Sequence, residues 1–462
     1  MADAYLEIIK ARQEKLAEIR KRGIDPYPVS CRRTHTILET RHLYEKKVES
    51  NQKLILAGRL RAFRRQGGLI FADLQDATGR IQLLFKKDFL KASDFENLEL
   101  LDIGDFLEAE GSLMTTKKGE LTLLVKNWRL LCKSLLPLPE KWHGLKDIEQ
   151  RYRERELDLL MNKEVFTLFV HRTEIIQNLR TFLIDNRFLE VQTPILQSIP
   201  GGTNARPFVT HYNAYNTDVY LRIAPELYLK RLLVGGFERV FEFASCFRNE
   251  GVDAVHNPEF INLEFYVAYW DEEKLMDFTE DLLISVTEKS LGKPRIFRGN
   301  KEIKLKKPFL RKEFLEVANG KESDQALKEA IRKIEEPTFI LHHPTKMIPL
   351  AKRSVNPDYV RSFQLVIGGI ELVKAFSELN DPQDQRRRFL EQEKLRAAGD
   401  EEAQRLDETF LRALNYGMPP AAGFGMGIER LLILLLNKNS IREVLLFPYM
   451  RPKEDAGYQV YS

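Results

Sequence analysis

Between Arg239 and Tyr269 the chain reads RVFEFASCFRNEGVDAVHNPEFINLEFYVAY, two period-two alternations joined by a polar loop. In the first, Val240, Glu242, Ala244, Cys246 and Arg248 share one face of a strand, and Phe241, Phe243 and Phe247 the other. In the second, Ile261, Leu263, Phe265 and Val267 form an apolar face opposite Phe260, Asn262, Glu264 and Tyr266. A one-residue slip would turn every one of these side chains over, so the pattern demands a paired sheet with one face on a core. The other face mixes small, charged and aromatic groups. An amphipathic hairpin open to water alternates in the same way. Water, however, gives no reason for Phe260 and Tyr266 to stand among carboxylates, whereas a flat, charged ligand does.

A chain of 462 residues has room for several domains, and 43% hydrophobic with 30% charged residues describes an ordinary globular protein. The apolar run Leu431 to Leu436 is too short to span a bilayer, so no membrane partner is expected. The N-terminal MADAYLEIIKARQEKLAEIRKRG lacks the apolar core of a signal peptide, which predicts a cytoplasmic protein. Cys31, Cys132 and Cys246 have neither zinc spacing nor a disulfide pattern. The net charge of +4 is unevenly spread: residues 1–70 hold 16 Lys/Arg against 8 Asp/Glu, or +8, leaving −4 for the rest. A basic front end suits a polyanion held by one domain, and equally a solvated basic helix.

Residues 3–22 read as a helix ended by Gly23 and the Pro26/Pro28 pair. From Leu54 to about Leu131 five short strands follow, with a helical stretch before the fourth, the pattern of a small oligonucleotide-binding barrel. Arg59, Arg61, Arg64, Arg65, Phe71 and Gln82 decorate it, and basic residues beside an aromatic suit base stacking with phosphate neutralisation. A barrel that simply buries Phe71 in its core fits the pattern too. The proline-punctuated LLPLPEKWHGL marks a connector, so the expected division is 1–134 for the helix and barrel, 135–152 for a linker and 153–462 for a second domain. That domain continues with a long amphipathic helix, the strand LEVQTPIL, a Gly/Pro loop, YLRIAPELYLKRLLVGG as strand and helix, the hairpin, and a poorly legible stretch at 292–347.

In GFGMGIERLLILLL, Gly423, Gly425 and Gly427 alternate along a strand and Arg430 opens a helix. Glycines on one face admit a flat ligand close to the backbone, and an arginine at the rim can stack on it. Neither a Walker loop nor a Rossmann fingerprint is present. The succession of a strand with TP, FRNE, HNPEF and GxGxGxxR resembles the three signature motifs of class II aminoacyl-tRNA synthetases. With APELYLKRL, ELNDP and the preceding barrel, the chain is similar to the lysyl-tRNA synthetases over nearly its whole length.

The resemblance implies an α+β protein: a five-stranded OB anticodon-binding barrel, then a catalytic domain of antiparallel sheet flanked by helices, assembled as a homodimer through the segment around Pro194. It implies ATP, L-lysine and tRNA(Lys) as substrates, with Mg2+ as cofactor. By the family pattern Arg248 and Arg430 are catalytic. Arg248 touches the ATP α-phosphate and the amino-acid carboxylate; Phe260 and Arg430 sandwich the adenine; Glu250, His256, Asn257 and Glu371 complete the nucleotide site. Gly202, Glu226, Arg248, Glu264, Tyr266, Lys374, Phe376 and Glu378 form the lysine site, with Glu226 on the α-amino group and Tyr266 with Glu378 on the ε-ammonium. Arg64, Phe71, Gln82 and Glu120 meet the anticodon. Where the family usually has two magnesium-ligating carboxylates and an asparagine, this chain has Gln364, Glu371 and Lys374. The two changes, at Gln364 and Lys374, add about two positive charges, and the expectation is that the Lys374 ammonium supplies part of the charge a metal brings elsewhere.

Overall fold

The structure is a computed structural model that describes residues 2–46, 54–139, 145 and 147–452. Part of the expected connector (140–144 and 146) and residues 453–462 lie outside the described residues. The chain forms two units, 1–144 and 145–462.

In the first unit the helix Ala2–Lys21 precedes a closed barrel of five strands, Leu54–Gln66, Leu69–Gln75, Arg80–Lys86, Phe106–Thr115 and Leu121–Cys132. Alternate residues turn inward: Leu56 and Leu60, Ile70, Ala72 and Leu74, Ile81, Leu83 and Phe85, and Leu123 and Val125 fill the core. The helix Ala92–Asn97 lies before the fourth strand, and Phe95 closes one end. A further helix, Ile37–Glu45, is not expected from periodicity. It starts at a capping box in which Thr36 and Glu39 satisfy each other's backbone N–H groups.

The second unit is built on an eight-stranded sheet. Its order is Leu310–Glu313, Thr338–Leu341, Ser362–Ile367, Ile370–Ser377, Ala421–Gly427, Glu259–Ala268, Arg239–Phe247 and Leu189–Glu190. All pairings are antiparallel except those of the two outermost strands. The expected hairpin pairs Phe241 with Phe265 and Phe243 with Leu263 on its apolar side. That side meets the helices Lys163–Asp185 and Glu272–Leu291, which contribute Ile175, Leu179 and Leu183, and Leu275, Leu282 and Val286. Phe265 stacks on Phe424 with ring centroids 4.3 Å apart, so hairpin and glycine strand share one aromatic core. The 292–347 stretch resolves into the hairpin Arg295–Arg298/Lys301–Lys304, the helix Asp324–Ile331 and two sheet strands. The expected strand through Pro194 is broken into Leu189–Glu190 and Leu196–Gln197, with Pro194, which cannot donate to a ladder, in the gap. Two helices, Pro382–Ala397 and Glu408–Asn415, follow the strand Ile370–Ser377.

Candidate active site

The sheet register assembles the polar face in rows. Glu242 lies opposite Glu264, Glu264 opposite Gly425, Gly425 opposite Lys374, and Lys374 opposite Gln364. In the next row Val240, Tyr266, Gly423, Phe376 and Ser362 align. Strand parity alone places these side chains on one side. Glu371 needs something more, because regular alternation would turn it away from Lys374. Gln364 pairs with Lys374 and Val366 with Glu371, so Leu372 is an extra residue and the bulge returns Glu371 to the polar face.

A cavity of about 560 Å³ opens over these rows. Toward one part of it lie Gly202, Glu226, Glu264, Tyr266 and Phe376; toward another Arg248, Glu250, His256, Asn257, Phe260, Gln364, Glu371, Lys374 and Arg430. Thus every residue expected for the reaction lines the cavity except Glu378. Its carboxylate lies just beyond, over Gly423: a Cβ on that glycine would stand 2.0 Å from Glu378 Oε1 and 2.4 Å from Tyr266 Cε1. Gly202, at φ +95°, is likewise required, since a Cβ there would come within 2.9 Å of Glu226 Cβ.

The acidic part contains a cation that the sequence reading does not single out. Lys230, fully buried, places Nζ 2.7 Å from Glu226 Oε1 and pairs with Glu378 Oε2 as well. Glu378 Oε1 is buried and receives no hydrogen bond among the described residues. Glu264 accepts from Asn262 Nδ2 at 2.8 Å and from the Tyr266 hydroxyl at 3.1 Å. Burial, and then the Glu226 charge, push the Glu264 carboxyl up to about 8. Burial raises Glu226 and Glu378 too, and Lys230 opposes the rise in both. The Glu226/Lys230 spacing is the i,i+4 ion-pair signal of a helix, yet such pairs are usually solvated, so nothing local marks this one as interior.

In the cationic part the Arg248 guanidinium stands 4.9 Å above the Phe260 ring centroid, and its Nε is buried with no hydrogen-bond partner among the described residues. Arg430 donates to the Glu371 carbonyl and, through Nη2, to His256 Nε2, both at 3.0 Å. His256 Nδ1 lies 2.8 Å from Asp253, so the network assigns the proton to Nδ1. Burial works to raise the Glu371 carboxyl, but Arg430, Lys374 and a hydrogen bond from Gln364 together hold it below its ordinary value. His343, also unforeseen, bonds Ser362 Oγ and Gln364 Oε1; burial, then Lys374, lower it to about 4, so it is neutral near pH 7.

The profile described as "tRNA synthetases class II (D, K and N)" matches residues 147–451, and that of an "OB-fold nucleic acid binding domain" matches residues 54–131. The lysine–tRNA ligase of Pelotomaculum thermopropionicum is 45% identical, over 97% of this chain and 96% of its own length. That of Carboxydothermus hydrogenoformans is also 45% identical, over 97% and 99%. The Aquifex aeolicus lysine–tRNA ligase is 46% identical over 86% of this chain and 73% of its own. The chain belongs to the lysine–tRNA ligase family.

The expected metal-binding region is that of Gln364 and Glu371. It offers one ionised carboxylate and one amide, with the Lys374 ammonium close by. Among the described residues no cluster of three or more His, Cys, Asp or Glu side chains is placed to ligate a metal. Magnesium prefers several oxygen ligands and repels an ammonium, so this donor set does not fit a resident divalent ion. On the ligase barrel, Arg64 pairs with Phe71 across the strands, and Gln82 donates to Glu120 at 3.0 Å and accepts from Thr122. Phe71 is half-buried and outside the barrel core. Arg59 and Arg65 are engaged elsewhere: Arg59 over Phe106, and Arg65 with Glu99.

Proposed function

We propose that this protein joins L-lysine to ATP as lysyl-adenylate, releasing pyrophosphate, and then transfers the lysyl group to tRNA(Lys). The observation that carries this reading is the Glu378 carboxylate, buried over Gly423 beside Tyr266, with Oε1 lacking a donor among the described residues. A buried acceptor of that kind favours an ammonium and rejects a neutral chain of equal length, which would leave the carboxylate unpaired. The opposite charge arrangement in the same cavity, Arg248 with Arg430 and Lys374, suits phosphate and carboxylate groups. A ligand with an ammonium at one end and a phosphate at the other satisfies both.

In this reading Arg248 holds the lysine carboxylate against the α-phosphate and balances the charge that builds as the carboxylate oxygen attacks phosphorus. The carboxylate is already ionised, so no general base is needed and alignment supplies much of the acceleration. Phe260 and Arg430 hold the adenine between them, and Glu250, His256 and Asn257 line its approach. Magnesium enters with ATP as part of the substrate. The barrel face of Arg64, Phe71, Gln82 and Glu120 takes the anticodon. A homodimer is supported by the exposed Leu189, Ile195, Leu196, Val209 and Tyr215 of adjoining segments. No described helix is long and apolar enough to cross a membrane, and the cytoplasm is the compartment proposed.

The test is amino-acid-dependent exchange of pyrophosphate into ATP. Exchange is expected with lysine and not with aspartate, asparagine or ornithine. Silence with every amino acid alongside retained tRNA binding would instead make the protein a non-catalytic tRNA binder.

A further inference from the structure

We infer that Lys230 is a specificity-determining positioning residue, an internal cation that bridges the Glu226 and Glu378 carboxylates and keeps both competent to receive a substrate ammonium. This rests on the reading of the cavity as a lysine site. Lys230 sits one turn into the helix Glu226–Val234, with no exposure to solvent. Its Nζ is 2.7 Å from Glu226 Oε1, contacts Glu378 Oε2, and lies 5.4 Å from the Phe376 ring centroid. A single nitrogen therefore holds together two carboxylates that the substrate must approach from the other side.

Among the described residues no other cation contacts both carboxylates. On the same helix the acid is Glu226. The strand Glu259–Ala268 presents Glu264 and Tyr266, and the strand Ile370–Ser377 with its continuation presents Lys374, Phe376 and Glu378. On Arg239–Phe247, Glu242 is already engaged with Arg222 at 2.5 Å. The helix Glu408–Asn415 brings only Phe410, Leu411 and Leu414 to this cluster. Glu226 and Glu378 thus share the Lys230 ammonium, and the Lys374 charge acts on Glu226 as well. Glu264, pushed up to about 8, is protonated near pH 7, so Lys230 is left to pair with Glu226 and Glu378. Without Lys230, burial and mutual repulsion would protonate Glu226 and Glu378, and a neutral carboxyl loses its charge attraction for an ammonium.

The test compares the full chain with Lys230→Met, close in volume, in lysine-dependent pyrophosphate exchange across pH 6.5 to 9.5. At pH 7 the variant's kcat/KM is expected to fall about tenfold through KM for lysine, with KM for ATP unmoved. The deficit relative to the unaltered chain should shrink to about twofold by pH 9, as the freed carboxyls ionise. A ratio constant with pH, or a loss confined to kcat, would overturn the inference. Absence of lysine exchange in the unaltered chain would instead remove the parent reading, and this inference with it. Should Lys230→Met and Lys230→Gln both fail to fold, Lys230→Met combined with Glu378→Gln decides. Recovery of folding supports the bridging role, and continued failure refutes it.

Discussion

Glu264 gives this protein a pH dependence that one side chain in a crowd of acids can be tested for. Its folded value of about 8 lies above the ordinary carboxyl value of 4.5, so folding takes up a proton between the two. The associated stability is complete below pH 4.5 and is lost as pH rises through about 8. In chemical denaturation the ligand-free protein should therefore weaken across that window, by on the order of 1.4 kcal/mol for each pH unit crossed. Glu264→Gln should flatten the slope, and an unchanged slope would assign it to other groups. The glycines differ just as sharply. Gly423→Ala would drive a methyl into Glu378 and Tyr266 and should cost about 1–3 kcal/mol in thermal unfolding. At Gly425 the nearest atom to an added Cβ is Asn262 Nδ2, at 3.5 Å. Gly425→Ala should leave the melting temperature nearly unchanged and reduce lysine exchange by narrowing the cavity. Lys374, exposed and near Glu371, is the third case. If its charge stands in for part of a metal's, Lys374→Asn should raise the magnesium concentration for half-maximal exchange several-fold. A titration that shows the usual multi-ion requirement and ignores the substitution would discard that role.

At the scale of elements, the two units should fail independently. Phe71 lies on the barrel strand Leu69–Gln75, paired with Arg64 and turned away from the barrel core. A base stacked on such a ring contributes about 1–3 kcal/mol. Phe71→Ala should thus weaken tRNA affinity about tenfold or more in filter binding while leaving pyrophosphate exchange intact. Loss of exchange as well would mean that the barrel does more than hold RNA. The bulged strand Ile370–Ser377 has the opposite character. Its extra residue Leu372 is buried on the core side, so the device that turns Glu371 toward the ligand is itself fastened into the hydrophobic core.

For the whole molecule the apolar side chains left in solvent are the main clue. Leu196 and Val209 are 54% and 58% exposed on the short strands Leu196–Gln197 and Val209–Tyr212. A subunit interface of ordinary size would cover them. Light scattering should give twice the 53.9 kDa chain mass, and Leu196→Asp should shift the mass toward one chain and lower exchange. A monomer that exchanges pyrophosphate at full rate would rule out dependence on a dimer.

The period-two alternation of residues 239–269 and the glycines of 423–427 were enough to place Glu264, Tyr266, Arg248 and Phe260 on one face, because side-chain direction along a strand is local. The barrel was legible for the same reason. The motif succession added Glu226, Glu371, Lys374 and Glu378, and so the chemistry, without the geometry. Tertiary structure alone decided that Lys230 is buried between Glu226 and Glu378, that a bulge turns Glu371 inward, and that Glu264 is a neutral acid at pH 7. Burial and charge partnership depend on which distant segments close over a group, and neighbouring residues do not carry that information.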